Sequence, residues 1–292
     1  MVMTPGRAHG RRRGHVDAVT MAQKAILYFL LTIGALLALF PFYWMIVVAT
    51  RPSGEVFSFP PPIIPGNLLI KNVRSLLLEI PYGRNYLNSV YYAVSVTALM
   101  LFFDSLAGFA FAKYEFPLQD TLFTLLLSTM MIPYTVTLIP WFIEMKIFGW
   151  IDSFAALIVP NAVDAFGIFW MRQYIMGAVP SELLDAARID GCSEFRIYRQ
   201  IVLHLASPAL AALGILTFLS NWNNLVGPLI IMRTPSHFTL TVALNTLVGL
   251  RLTDYGALMA GTVGAVVPIL LVYLAGARRF IAGIAAGSLH GV

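Results

Sequence analysis

The 292 residues are 59% hydrophobic and only 11% charged, with a net charge of +5 and a mean hydropathy of +0.79, whereas soluble domains average roughly 25% charged residues. That balance excludes water as the solvent for most of the surface, and apolar runs of membrane length exclude nucleic acid as a partner despite a pI near 9.4. The single cysteine, Cys192, excludes an internal disulfide, and neither it nor His204 and the other scattered histidines has metal-ligand spacing, so no metal site is expected.

The chain opens with a polar, Arg-rich leader over 1–24, expected to be a disordered segment whose charge orients the first helix. Crossing a hydrocarbon core of about 30 Å takes roughly 20 helical residues, and six stretches qualify. They are Ala25–Ala49, Asn85–Ala112, Leu122–Glu144, Phe154–Tyr174, Ala206–Val226 and Gly256–Ile281. The first is too long for a signal-peptide core and lacks a small-residue cleavage site after it, so it is read as retained. With the N-terminus inside, twelve of the 19 Lys and Arg fall in cytoplasmic segments, including Arg11, Arg12, Arg13, Arg188, Arg278 and Arg279. The positive-inside bias thus puts both termini in the cytoplasm.

Two loops exceed what a connection needs. The outer loop from Thr50 to about Arg84 holds Pro52, Pro60, Pro61, Pro62, Pro65 and Pro81, which favour an extended surface segment. The cytoplasmic loop reads PSELLDAARIDGCSEFRIYRQIVL from Pro180 to Leu203. Ser181 is expected to cap a short helix whose positive end Glu182 complements. Gly191, lacking a Cβ, offers a left-handed stop. A second amphipathic stretch, Ser193–Ile201, carries Phe195 and Tyr198 among charges. Such a unit suits docking into a partner; by pattern alone it also fits a helix resting on lipid headgroups.

Asp185-Ala186-Ala187, with Gly191 after three more residues and then Ile201 and Leu203, resembles the EAA loop of ABC importer permeases. Asp185 stands where that family has Glu, and His204 where it has Pro. Along the chain, MMIPYTVTLIP (Met130–Pro140), IFGWIDS (Ile147–Ser153), GIFWMRQY (Gly167–Tyr174), NWNNLVGPL (Asn221–Leu229), FTLTVAL (Phe238–Leu244) and ARRFIAGIAAG (Ala277–Gly287) resemble, in order, the maltose-type carbohydrate permeases. The resemblance implies an all-α integral protein of the plasma (inner) membrane, a MetI-like bundle of six transmembrane helices over 25–292. Its coupling loop, 177–205, would dock into an ATPase through Leu183, Leu184, Asp185, Ala186, Ala187, Arg188, Asp190, Gly191, Cys192 and Phe195. The implied partners are a second related permease, two ATP-binding cassette subunits that bind ATP and Mg, and an extracytoplasmic solute-binding protein. The implied cargo is a sugar, and membrane lipid surrounds the bundle.

Polar groups inside a bilayer tend to face a bundle interior or a water-filled path. Asn221 and Asn224, three apart on one face, lie with Trp222 and Asn223 toward the outer end of the fifth span. Amides beside an aromatic ring suit a neutral polyhydroxylated cargo; the plainer alternative is interhelical hydrogen bonding. In maltose-type systems the corresponding stretch of the partner permease lines the sugar site. Asp104 and Asp164 fall about 15 Å and 12 Å from the inner ends of their spans, at 1.5 Å per residue. They are expected to face the path or a neighbouring helix. The outer loop from Pro228 to about Tyr255 reads either as a connector or, by resemblance, as a reach toward the binding protein.

The sequence has no GxxxxGK[ST] phosphate loop, nucleophile elbow or paired catalytic carboxylates in a soluble domain, so an enzyme is not expected. The alternatives are an ABC permease for a polyol or glycerol phosphate, and a proton-coupled secondary transporter, for which inverted repeats are missing.

Overall fold

In the computed structural model, which describes residues 21–249 and 253–288 (side chains from 23 to 249 and from 253 to 276), Tyr82–Lys113 is a single 32-residue helix, α3. At 1.5 Å per residue it is about 48 Å long, more than a hydrocarbon core requires. Before it come α1 (Met21–Ala49) and the amphipathic α2 (Leu69–Glu79). The chain divides into two units, 1–44 and 45–292. The described part of the first is the apolar body of α1; the helices from α2 onward belong to the second. The expected leader falls almost wholly in residues 1–20, outside the described residues, as does Arg251.

The third and fourth expected spans depart from single rods. The third is α4 (Gln119–Thr129) and α5 (Tyr134–Ile147), bent by 96°. Pro133, extended at φ −61° and ψ 132°, has no N–H to continue the ladder, and its ring forces the preceding residue out of helix. The fourth is α6 (Phe154–Ile158) and α7 (Ala165–Ala178). Pro160 lies in the gap, and Asp164, itself extended, restarts the helix by accepting the Gly167 N–H at 3.1 Å.

The loop between the fourth and fifth spans holds α8 (Ser181–Ile189) and α9 (Glu194–Ile197), running on through a wide turn, Tyr198–Val202, into α10 (Leu203–Leu205). The fifth expected span is α11 (Ser207–Trp222), followed by α12 (Val226–Ile231) and α13 (Leu240–Thr246). The sixth expected span is α14 (Tyr255–Ser288). Among the described residues there is no strand. Four helices or helix runs there are long and apolar enough to cross a membrane, a fifth if the bent α4–α5 pair is one span.

α3 is the central post, packed against α7 and α11, with α14 against α11 and α2. Close approach of α3 and α7 requires Gly108: a Cβ there would lie 2.7 Å from Met171 Cβ and 2.9 Å from the Arg172 nitrogen. The core has three parts. One gathers Phe109, Met171, Ile175, Leu184, Ile197 and Leu213 at the α8 end. A second gathers Leu76, Ala93, Phe218, Trp222 and Leu244, and a third Tyr92, Val96, Met145, Leu157 and Ile231.

Candidate functional site

The α8–α9 unit is built to hold one face down and another out. In α8, Leu184 and Ala187, three apart on one face, are buried against Ile175 and Ile197. Burying a Leu contributes about 1.5–3 kcal/mol, enough to pin so short a helix. The opposite surface carries Leu183, 43% exposed, Ile189, 86%, and Phe195, 57%, with Asp185, Ala186 and Asp190 also exposed. Gly191 ends the helix at φ +77°, and Cys192, half-buried, returns its N–H to the Ala187 carbonyl at 3.0 Å. The expected Ser181 cap is not made. Pro180 occupies the cap position with no side-chain hydrogen bond, and Ser181 is the first helical residue.

Arg188 ties the turn together. Its guanidinium donates to Asp185 and to Glu194, each at 2.8 Å, joining α8 to α9. The Tyr114 hydroxyl, at the end of α3, also donates to Glu194. The Arg188 bond first, then the Tyr114 bond, hold the Glu194 carboxyl below its ordinary range. These groups are exposed, so the pairs fix geometry more than they stabilise. His204, where the resemblance has proline, sits inside α10; Pro208 opens α11 instead.

The polar residues expected along the path separate into three environments. Asn221, Asn223, Asn224 and Asp164 line one cavity of about 640 Å³. Asn224 also lines a second, of about 250 Å³, with Tyr92, Tyr134, Trp141 and Asn161. Trp222, expected beside them, lines neither. It is buried at 4% exposure, stacked on Phe218, and its indole N–H donates to the Ala265 carbonyl at 3.1 Å. Helix α11 ends at Trp222, so Asn224 reaches the cavity from the turn beyond, where its side chain donates to the Tyr92 hydroxyl at 3.2 Å and accepts the Gly227 N–H. Asp104 lines neither cavity: it is fully buried, with Oδ1 accepting the Asp164 N–H at 3.0 Å.

Sequence reasoning missed what holds the segment between α12 and α13. Asp152, at φ +60°, accepts the Arg233 N–H at 2.8 Å, the Thr234 N–H at 3.1 Å and the Thr234 hydroxyl at 2.5 Å. Burial raises its pKa, but those donors and nearby His237 outweigh burial and leave it at about 2. From α3, Asn85 donates to the Pro235 and Phe238 carbonyls, Asn88 to those of Ser236 and Phe238, and Ser89 accepts the Leu240 N–H. The available signal was the polar Asn85, Asn88 and Ser89 at helical spacing at the start of an apolar span. A further carboxylate, Asp254, accepts from Ser53 at 2.6 Å and Ser75 at 3.1 Å and caps α14 at Ala257.

A helical bundle of membrane length, with a fastened α8–α9 hairpin and a cavity into which Asn221, Asn223, Asn224 and Asp164 are placed, has the outline of a membrane transport subunit. Residues 104–284 match the family described as binding-protein-dependent transport system inner membrane component, and the chain belongs to that family. It is 37% identical to the arabinooligosaccharides transport system permease protein AraQ of Halalkalibacterium halodurans, over 91% of this chain and 98% of that one. It is 33% identical to the lactose transport system permease protein LacG of Rhizobium radiobacter, over 88% and 93%. To the sn-glycerol-3-phosphate transport system permease protein UgpE of Salmonella typhimurium it is 32% identical, over 87% and 93%. A chain from the crystal structure of a bacterial ABC transporter involved in the import of the acidic polysaccharide alginate shares the fold. The TM-score is 0.78, with 23% identity, over 95% of this chain and all of that one. The chain is therefore an ABC importer permease, a transport subunit and not an enzyme; in that family ATP and Mg act through a separate ATPase.

Proposed function

We propose that this permease forms half of a path for ATP-driven sugar uptake, working by alternating access. A solute-binding protein delivers cargo to the outer face of a heterodimer of this chain and a related permease. Two ATPase subunits close on ATP, and the α8–α9 hairpin passes their motion into α7 and α11. This is a population shift of a two-state assembly, driven by differential nucleotide affinity. Residues 25–292 form the transmembrane domain in this reading, with six spans, the third and fourth broken, and both termini in the cytoplasm.

The observation that carries the reading is the two-faced hairpin. Leu184 and Ala187 are buried inward while Leu183, Ala186, Ile189 and Phe195 are offered outward, and Arg188 locks the turn between them. Exposed apolar groups on a small rigid support suit a cleft in a partner. Asn221, Asn223 and Asn224 on the 640 Å³ cavity support the path. The sugar cargo draws on the names of the arabinooligosaccharide and lactose relatives.

The test is purification in gentle detergent with mass spectrometry of what accompanies the chain, then ATP-driven uptake in vesicles. Recovery of an ATPase, a second permease and a sugar-loaded binding protein supports the proposal. The chain recovered alone, with ATP-independent uptake, refutes it.

A further inference from the structure

We propose that the pocket between Tyr92, Tyr134, Trp141, Asn161 and Asn224 receives one ring of an uncharged sugar, and that this subunit's wall disfavours anionic cargo. The proposal rests on the reading of the chain as half of a sugar path and narrows its cargo.

The pocket is made where the two broken spans meet α3. Tyr134 and Trp141 come from α5, just past the 96° bend, and Asn161 from the gap between α6 and α7. Tyr92 comes from α3 and Asn224 from the turn after α11. Helical continuity in the third and fourth spans would replace these exposed corners with plain helix surface. At about 250 Å³ the space is below the usual range for a drug-sized ligand, which fits a single ring. It adjoins the larger cavity, since Tyr134, Asn161 and Asn224 line both. A ring bound here is one unit of a cargo whose remainder occupies the larger space.

The polar inventory matches hydroxyl groups. The Tyr92 hydroxyl accepts from Asn224 and keeps its own proton to donate. Asn161 spends one amide N–H on the Leu157 carbonyl at 2.8 Å, leaving its oxygen to accept and its second N–H to donate. Tyr134's hydroxyl adds a further donor. A sugar hydroxyl both donates and accepts, so neutral donors and acceptors on aromatic walls suit it. Gly227 keeps the convergence point open: a Cβ there would sit 3.4 Å from Asn224 Nδ2 and 3.5 Å from the Tyr134 oxygen.

Charge decides against anions. Among the described residues, neither cavity is lined by Lys, Arg or His, and the larger one is lined by Asp164. Phosphate and carboxylate groups are recognised by charge-assisted donors, above all the guanidinium fork, and these walls offer none. Cargo of the glycerol-phosphate or uronate type would meet a carboxylate and no cation on this half of the path.

The experiment uses the complete importer, with partner permease, ATPases and binding protein, in liposomes. ATP-driven uptake is followed for four radiolabelled probes: arabinotriose, lactose, sn-glycerol 3-phosphate and an alginate-derived diuronate. Cargo retained per assembly after trapping with ATP and vanadate is then counted. Uptake and retention of a neutral probe, without either anion, is expected. Loss of one hydroxyl contact in Tyr92→Phe, or a methyl in the pocket in Gly227→Ala, should lower retained cargo about fivefold. Gly227→Ala meets only ordinary contacts, so it decides the matter alone if Tyr92→Phe fails to assemble. Equal retention in Gly227→Ala and wild type, or uptake of an anion as fast as a neutral sugar, overturns the pocket proposal and leaves the importer reading standing. No ATP-driven uptake of any probe overturns the sugar reading itself, and the pocket proposal with it.

Discussion

Oδ1 of Asp104 accepts the backbone N–H of Asp164 at 3.0 Å across 60 residues of sequence, so two carboxylates that look unrelated in the sequence form one junction. Asp164's own side chain caps α7 at Gly167. The Asp104 Oδ2, buried without a partner, occupies the place where a Cβ on Gly167 would go. Asp104 thus clamps the start of α7 to α3, a structural task that leaves Asp164 to face the cavity.

That contact predicts a double-mutant cycle. Gly167→Ala drives a methyl into the Asp104 carboxylate and should cost about 1–3 kcal/mol, as overpacking does. It should be read as a lower melting temperature of the detergent-solubilised chain. Asp104→Ala in the same chain removes the obstacle, so the pair should lose less than the sum of the singles. Strictly additive losses would show that the two residues do not touch.

Asp152 predicts a pH dependence. Donors from Arg233 and Thr234 outweigh the raising effect of burial and leave its carboxyl at about 2, against an ordinary Asp value of about 3.9. A folded-state value below the unfolded one means the charged form stabilises the fold above roughly pH 4, and that contribution fades as pH falls toward 2. Asp152→Ala should therefore melt below wild type at pH 6. The gap should narrow between about pH 4.5 and 2.5; a gap that stays constant would mean the charge contributes nothing.

The legible features were local ones. Gly191 at positive φ, the two short helices around it and the long apolar runs of α3 and α14 follow from residue type and spacing within one element. Pro133 and Pro160 were visible, yet their effect was not drawn. Both lie in apolar surroundings long enough for a span, and hydropathy counts residues without asking whether the ladder continues. Trp222 was assigned by its neighbours Asn221 and Asn223, but successive helical residues point about 100° apart, so its ring faces α14 while the amides face the cavity. The Asp152, Asn85 and Asn88 anchors bind backbone groups far away in sequence, and backbone donors and acceptors leave no mark in residue types.

The docking reading predicts a contrast between neighbours in α8. Ala186→Arg adds a long charged group to an exposed position and should shift stability by no more than about 0.5 kcal/mol. It should nonetheless reduce ATP-driven uptake by at least about tenfold, because burying an unpaired charge in the partner's cleft is costly. Leu184→Ala, by contrast, opens a cavity in the core and should cost about 2–5 kcal/mol before any partner is present. Full uptake with Ala186→Arg would move the coupling surface elsewhere.

The single cysteine allows orientation and docking to be read together. Cys192 is half-buried in the α8–α9 turn, so a membrane-impermeant maleimide reports which side of the bilayer the hairpin occupies without engineered sites. If the hairpin is cytoplasmic, inside-out vesicles should label and right-side-out vesicles should not. Adding the ATPase to a stripped permease pair should then slow labelling, because docking covers the turn. Labelling from the outer side would invert the whole topology and remove the hairpin from the ATPase's reach. Cytoplasmic labelling that the ATPase leaves unchanged would keep the topology and move the docking contact away from Cys192.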